Sequence, residues 1–143
     1  MTPEDVSDWI VSCISSGLRG LSLSGGEPLH PIHLPLIRRA IEISRERIDF
    51  DVLAFTGYED LDGMDLTGLD VLIAGPYDKN LHHDSGLISS ENQKVIRLTD
   101  AFSDVADEWF WESERAMEVL IEDGVLHFTG LFHPDDVLRF LKK

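Results

Sequence analysis

Ser22-Leu23-Ser24-Gly25-Gly26-Glu27-Pro28-Leu29 is the stretch on which the reading of the fold turns. An apolar strand runs into two glycines, an acid and a proline. Paired glycines let the backbone bend where side chains would clash, and Pro28 stops the strand from continuing. Glu27 is left at the strand's C-terminal tip, where open α/β sheets and barrels place their ligand sites. The residues alone leave two readings open. Glu27 faces a ligand, or it is incidental to a tight strand-to-helix turn, since short glycine motifs give many false matches.

The same punctuation recurs twice. The run Phe50-Asp51-Val52-Leu53-Ala54-Phe55 stops at Thr56-Gly57-Tyr58-Glu59, and Leu69-Asp70-Val71-Leu72-Ile73-Ala74 stops at Gly75-Pro76-Tyr77-Asp78. Near-continuous apolar runs of this length, separated by helical stretches, predict parallel strands covered on both faces. Parallel strands share a direction, so three of them ending in glycine and polar groups put those groups on one rim. That arrangement favours Glu27 as a site residue.

The totals bound the rest. A length of 143 residues suits one domain, spanning 1–143, with a sizeable core. Twelve basic residues stand against 27 acidic ones, a formal charge of −15. This argues against a nucleic-acid or anionic-membrane surface, because both need clustered Lys and Arg. The single cysteine, Cys13, excludes an intramolecular disulfide and any multi-cysteine zinc or iron–sulfur site built from these residues alone. No apolar run approaches the roughly 18 residues of a membrane span, and the N-terminus lacks a secretory pattern, so the chain reads as cytoplasmic.

Along the chain, Thr2 is an N-cap, Pro3 suits the first helical position, and Glu4 and Asp5 complement the helix dipole. Val6, Trp9, Ile10, Cys13 and Ile14 then form one apolar stripe that predicts burial of Cys13, and Gly17 stops the helix. A strand is expected at 20–24. A second helix starts near Pro35 and turns Leu36, Ile37, Ala40 and Ile41 inward. Strands follow at 50–56 and 69–75, and a long polar loop at 78–93 leads to a fourth strand at 95–98. The spacing of Phe102, Val105, Ala106, Trp109 and Phe110 predicts a helix over 101–116. Strands at 116–121 and 125–129 flank Glu122-Asp123-Gly124, a hairpin signal. Pro134, Asp135 and Asp136 open a last helix that buries Val137, Leu138 and Leu141. The fold class is α/β: a partial (β/α) barrel with a mostly parallel sheet, then a C-terminal β-hairpin and helix.

Other candidate chemistry has plainer readings. His30 and His33 are spaced like helical metal ligands, but Pro31 intervenes and no carboxylate completes a site, so a helix-entry role is preferred. His82-His83-Asp84 has metal-binding or titrating potential within the long loop, against the simpler reading of a solvated segment. Ser22 and Ser24 do not form a G-x-S-x-G elbow, and neither a Walker sequence nor G-x-G-x-x-G occurs. Trp109, Phe110 and Trp111 read as core rather than as a stacking platform.

Four ordered segments carry a resemblance. Leu23-Ser24-Gly25-Gly26-Glu27-Pro28-Leu29 resembles the S-G-G-E-P segment of radical S-adenosylmethionine (SAM) proteins. Phe55-Thr56-Gly57-Tyr58, Asp70-Val71-Leu72-Ile73-Ala74-Gly75-Pro76-Tyr77 and Ser89-Ser90-Glu91-Asn92-Gln93 are similar, in order and spacing, to the activating proteins of anaerobic ribonucleoside-triphosphate reductases. The resemblance runs from residue 1 to about 99. It implies a partial barrel in which a [4Fe–4S] cluster sits on a C-x-x-x-C-x-x-C loop and SAM chelates its open iron. It further implies reductive cleavage of SAM to a 5′-deoxyadenosyl radical, which takes hydrogen from a glycine of the partner enzyme. By the same resemblance Ser24, Gly25, Gly26, Glu27 and Pro28 contact the methionine end of SAM, and Thr56, Asn92 and Gln93 line that rim.

One departure stands out: the sequence has no C-x-x-x-C-x-x-C. The resemblance implies that the cluster segment precedes Met1, and radical generation by this chain alone is not expected. Loss of that segment would also leave the 20–24 strand as an open edge. The partners implied are a glycyl-radical enzyme or a chain that carries the cluster segment, with neither nucleic acid nor membrane. Two other readings compete. One is a degenerate, non-catalytic SAM-binding or protein-interaction module, and the other is a small acidic α/β interaction domain unrelated to SAM.

Overall fold

The computed structural model describes residues 1–113, the backbone of 117–122 and 125–130, and residues 138, 139, 141 and 142. The chain divides into two compact units. The first is Met1–Tyr77 with Asn92–Asp104, and the second is Asp78–Glu91 with Val105–Lys143.

The first unit begins with α1, Pro3–Ser15, opened by a capping box. Thr2 Oγ1 accepts from the Asp5 amide at 3.1 Å, and the Asp5 carboxylate accepts from the Thr2 amide at 2.9 Å. The buried face differs from the predicted stripe. Ser7, Ile10 and Ile14 point inward, Cys13 is only half-buried, and Trp9 is 62% exposed. The cause is the packing of α1 on α2, Leu34–Arg45. Ser7 meets Ser44 of α2 with the two hydroxyls 3.0 Å apart, and the Ser44 hydroxyl lies 2.7 Å from the Ala40 carbonyl. A pair of small side chains permits a close approach that an indole would block, and bringing Ser7 to the interface turns Trp9 outward.

Four strands form the sheet: β1, Gly20–Leu23; β2, Asp51–Thr56; β3, Val71–Ala74; and β4, Lys94–Arg97, in the order β1-β2-β3-β4. β1 pairs parallel with β2 and β2 parallel with β3, with Leu21 opposite Val52 and Ala54 opposite Leu72. β4 runs antiparallel to β3, Leu72 facing Ile96, and so the sheet is mostly parallel and open. No residue of β3 is exposed and β2 is buried at Val52, Leu53, Ala54 and Thr56, as continuous apolar runs demand. The core between sheet and helices joins Ile10, Ile14, Leu34 and Ile41 to Val52, Ala54 and Leu72.

Asp70, 4% exposed, closes the lower end of this sheet. Its Oδ2 accepts from the Val52 amide at the start of β2 and from Arg45 Nη2 at the end of α2, both at 2.7 Å. Its Oδ1 accepts from Thr99 Oγ1 at 2.8 Å, beyond β4. A carboxylate with several charge-assisted donors tolerates burial that would otherwise be costly. Arg19 makes a second tie on the surface, bonding Asp51 at 2.6 Å and Asp104 at 2.9 Å while lying over the Phe102 ring at 5.0 Å.

In the second unit the long loop is not bare coil. Asp78 caps a single 3₁₀ turn at Lys79–Leu81, and His82 bridges Ser90. His83 Nε2 and Ser85 Oγ each lie 2.8 Å from the Trp111 carbonyl. The helix predicted over 101–116 is confined to α3, Asp107–Glu112, which buries Phe110. Residues 101–104 are turns of the first unit, so Phe102 and Phe110 satisfy helical spacing without sharing a helix. Trp109 is 44% exposed and stacks edge-on against Phe110, with ring centroids 5.2 Å apart. β5, Met117–Glu122, and β6, Val125–Gly130, form the expected antiparallel hairpin. In the last helix Leu138 and Leu141 are more than half exposed, contrary to the burial predicted for them. Pro134, Asp135, Asp136 and Val137 lie outside the described residues.

Asp70→Ala is expected to lower the free energy of unfolding by about 3 kcal/mol, because it leaves Arg45 and the Val52 amide without their acceptor. Urea denaturation of the two proteins checks this. A pH series supplies a second test. Hydrogen bonds hold three carboxyls below their usual value of 3.8: Asp5 through the Thr2 backbone, Asp65 through Thr67, and Asp104 through Arg19. Depressed folded-state values mean that these groups stabilise the fold fully above that pH and lose the contribution as pH falls through their folded-state values. The thermal midpoint is expected to drop below pH 3.8 and to drop less in Asp104→Asn.

Candidate functional site

The loop after β1 turns on Gly25 and Gly26, whose φ angles of +80° and +57° place both in the left-handed region. Glycine adopts that conformation without the strain imposed by a Cβ. Nothing lies within 4 Å of where a Cβ would sit on either residue, so this stretch of backbone is open rather than packed. Pro28 and Leu29 then bury themselves and lead through two turns to α2. The His30 ring nitrogen accepts from the Ile32 amide at 3.2 Å, and His33 occupies the N-cap position of α2. The His30 side chain thus serves the helix entry, while that of His33 makes no capping bond.

Glu27 braces this loop against the tip of β2. Its Oε1 accepts from Thr56 Oγ1 at 2.8 Å and from the Leu29 amide at 3.0 Å, and its Oε2 accepts from the Gly57 amide at 2.9 Å. Thr56 Oγ1 in turn accepts from the Tyr58 amide at 3.1 Å. An ionised carboxylate has about four lone-pair positions. Three are filled here, and one on Oε2 is left. The sequence pointed to Glu27 and Thr56 separately. It carried no sign of the Leu29 and Gly57 amides, which become donors only when the β2 tip lies beside the loop.

Asn92 and Gln93 reach the same rim from the other side. Gln93 Nε2 donates to the Gly75 carbonyl at 3.0 Å, and Asn92 Nδ2 donates to the Pro76 carbonyl at 2.8 Å, just past β3. Gly75 has φ +123°, and its hypothetical Cβ would sit 3.4 Å from Gln93 Cα, so a close backbone approach sets this corner. The Gly75 amide donates to the Thr56 carbonyl at 3.0 Å and joins the two corners. Ser24, Gly25, Gly26, Glu27 and Pro28 therefore follow β1, Thr56 ends β2, and Asn92 and Gln93 lie between β3 and β4. Of these, Glu27 and Thr56 touch directly, while Asn92 and Gln93 bond to the β3 end.

A recess of about 340 Å³ runs along β1 into the glycine loop and includes Trp9, His33 and Ile37 in its wall. Trp9 and His33 were not expected there; the outward turn of Trp9 brings it in. A larger recess of about 580 Å³ against α2 shares no residue with the loop. Its arginines Arg38, Arg39 and Arg45 are each paired with a carboxylate.

The donor set for metal is thin. Among the described residues no group of three His, Cys, Asp or Glu side chains converges on one point. His82 Nε2 pairs with Asp84 Oδ1 at 2.9 Å, and this remains a pair. Among the same residues no helix is long and apolar enough to cross a membrane.

Residues 1–96 match a family described as a 4Fe–4S single cluster domain. Three similar proteins bear the name anaerobic ribonucleoside-triphosphate reductase-activating protein. The one from Enterobacteria phage T4 is 35% identical over 89 residues, covering 59% of this chain and 57% of its own length. The Haemophilus influenzae protein is 42% identical over 69 residues, covering 41% of this chain and 42% of its own length. The Vibrio cholerae protein is 36% identical over 89 residues, covering 57% of each. The matches thus span about half the length of these relatives. No solved structure matches.

Gly25→Ala and Gly26→Ala are each expected to destabilise the fold by about 1–2 kcal/mol through left-handed strain alone. Gly57→Ala is expected to be nearly neutral, since its Cβ would meet Glu27 Oε2 at an ordinary 3.6 Å. Thermal melts of the three variants check the contrast.

Proposed function

The chain belongs to the 4Fe–4S single cluster domain family, and from that premise we propose that it supplies the SAM-binding rim of an activase. The activase would act on an anaerobic ribonucleoside-triphosphate reductase or a related glycyl-radical enzyme, in the cytoplasm. The likeness to activating proteins supports the target, and the braced glycine loop supports the ligand.

The observation that carries the reading is the Glu27 brace. An aminoacyl ligand such as the methionine part of SAM presents an ammonium and a carboxylate on one carbon. An exposed loop with two left-handed glycines offers backbone carbonyls to the ammonium at close range, with no Cβ in the way. The negative charge of Glu27, spread over two oxygens with one acceptor position left, favours the same cation. Thr56 and the Gly57 amide hold the carboxylate in place, so the loop is ordered before the ligand arrives, which lowers the entropy cost of binding. Asn92 and Gln93, fixed to the β3 end, would border the ligand on the far side.

The residues present do not fit the iron–sulfur cluster in the family's name. Such clusters are held by several thiolates, and Cys13 is the single cysteine. The same observation favours a second reading, in which the rim serves a non-catalytic SAM-binding or protein-interaction module.

Calorimetry with SAM is the test. The chain is expected to bind it, and Glu27→Gln is expected to weaken binding roughly tenfold or more, the loss of one charged contact. Thr56→Val is expected to weaken it less, with circular dichroism showing both variants folded. Absence of binding by the unaltered chain would defeat the reading. So would equal binding by a folded Glu27→Gln.

A further inference from the structure

We infer that these 143 residues do not themselves hold a [4Fe–4S] cluster, and that Cys13 takes no part in holding one. The inference deepens the proposed function, on which it rests for the role of the rim.

Ligand count comes first. A cubane of four irons needs cysteine thiolates on at least about three of them, with histidine an occasional substitute. One thiol is available in the whole sequence. Histidine and carboxylate do not make up the number, because among the described residues no three such groups converge. The rings of His30 and His33 lie 5.5 Å apart, but His30 already accepts from the Ile32 amide.

Location is the second argument, and only the folded chain provides it. Cys13 lines a recess of about 260 Å³ beside the first half of β1, among Trp9, Ile10, Ile14, Leu18 and Leu21. Gly20 and Ser22 complete the wall, which holds no second Cys and no His, Asp or Glu. Neither Glu27 nor Thr56 borders that recess, and the recess that Glu27 does border does not include Cys13. The two recesses adjoin through Trp9, Leu21 and Ser22, and the thiol borders the one away from Glu27. A cluster serving the rim must take its thiolates from residues outside these 143, and Cys13 remains a packing residue of α1.

The experiment is anaerobic reconstitution of the full chain with ferrous iron and sulfide under a reducing thiol. Iron, acid-labile sulfide and the visible charge-transfer absorption are then measured after desalting. Both the unaltered chain and Cys13→Ser are expected to retain far less than one iron per chain, with matching spectra. About four irons and four sulfides per chain, the content of a cubane cluster, would overturn the inference. Their loss in Cys13→Ser would further make Cys13 a ligand. SAM calorimetry on the same desalted samples separates the two conclusions. Binding without iron supports both, while no binding and no iron removes the rim reading and leaves the ligand inference standing.

Discussion

The carboxylate of Asp70 meets an amide of β2, a guanidinium of α2 and a hydroxyl beyond β4 at one buried point. Its own backbone extends the junction: the Asp70 amide donates to the Val52 carbonyl at 2.9 Å, and the Asp70 carbonyl accepts from Leu98 at 2.8 Å. Strands as short as four residues, here β1, β3 and β4, have few ladder bonds with which to set their register. For β3 between β2 and β4 a buried acceptor with three specified donors sets it instead, since a one-residue slip would leave those donors unpaired in a low-dielectric interior.

Glu27 plays the corresponding part at the opposite, C-terminal ends of the parallel strands. Asp70 is sealed in, whereas Glu27 is only partly covered and stands beside backbone that nothing packs against. The lower carboxylate fixes the sheet. The upper one fixes a loop that remains accessible, and this division between a rigid base and an ordered, open rim is the usual disposition of α/β ligand sites. The acidic surface agrees with this, because the ligand chemistry invoked at the rim is cationic and needs no basic cluster.

Family membership and residue content pull in different directions here. Residues 1–96 match a cluster-binding domain, while the chain offers one thiol and lodges it in an apolar hollow of α1. A fold can keep the rim that orients a small cofactor while the groups that bind the metal lie elsewhere, because the rim is built from backbone geometry and strand order rather than from thiolates.

Much of this was legible along the chain. Thr2 and Pro3 announced the first helix start, the continuous apolar runs announced the parallel strands, and Gly25-Gly26-Glu27 announced the turn after β1. These depend on local backbone preferences and on periods of a few residues. Other features depended on what lies across the packing. Ser7 rather than Trp9 faces α2 because another serine waits there. The stretch at 101–116 divides between the two units, although its apolar spacing is helical throughout. Glu27 proved to be a brace because the β2 tip brings Thr56 and the Gly57 amide to it. By itself the sequence determined the first two helices, the parallel core and the glycine turn after β1, since each is written in neighbouring residues. Only the tertiary structure decided which face of each helix is buried and which partners the carboxylates hold, since those depend on residues distant in sequence that meet after folding.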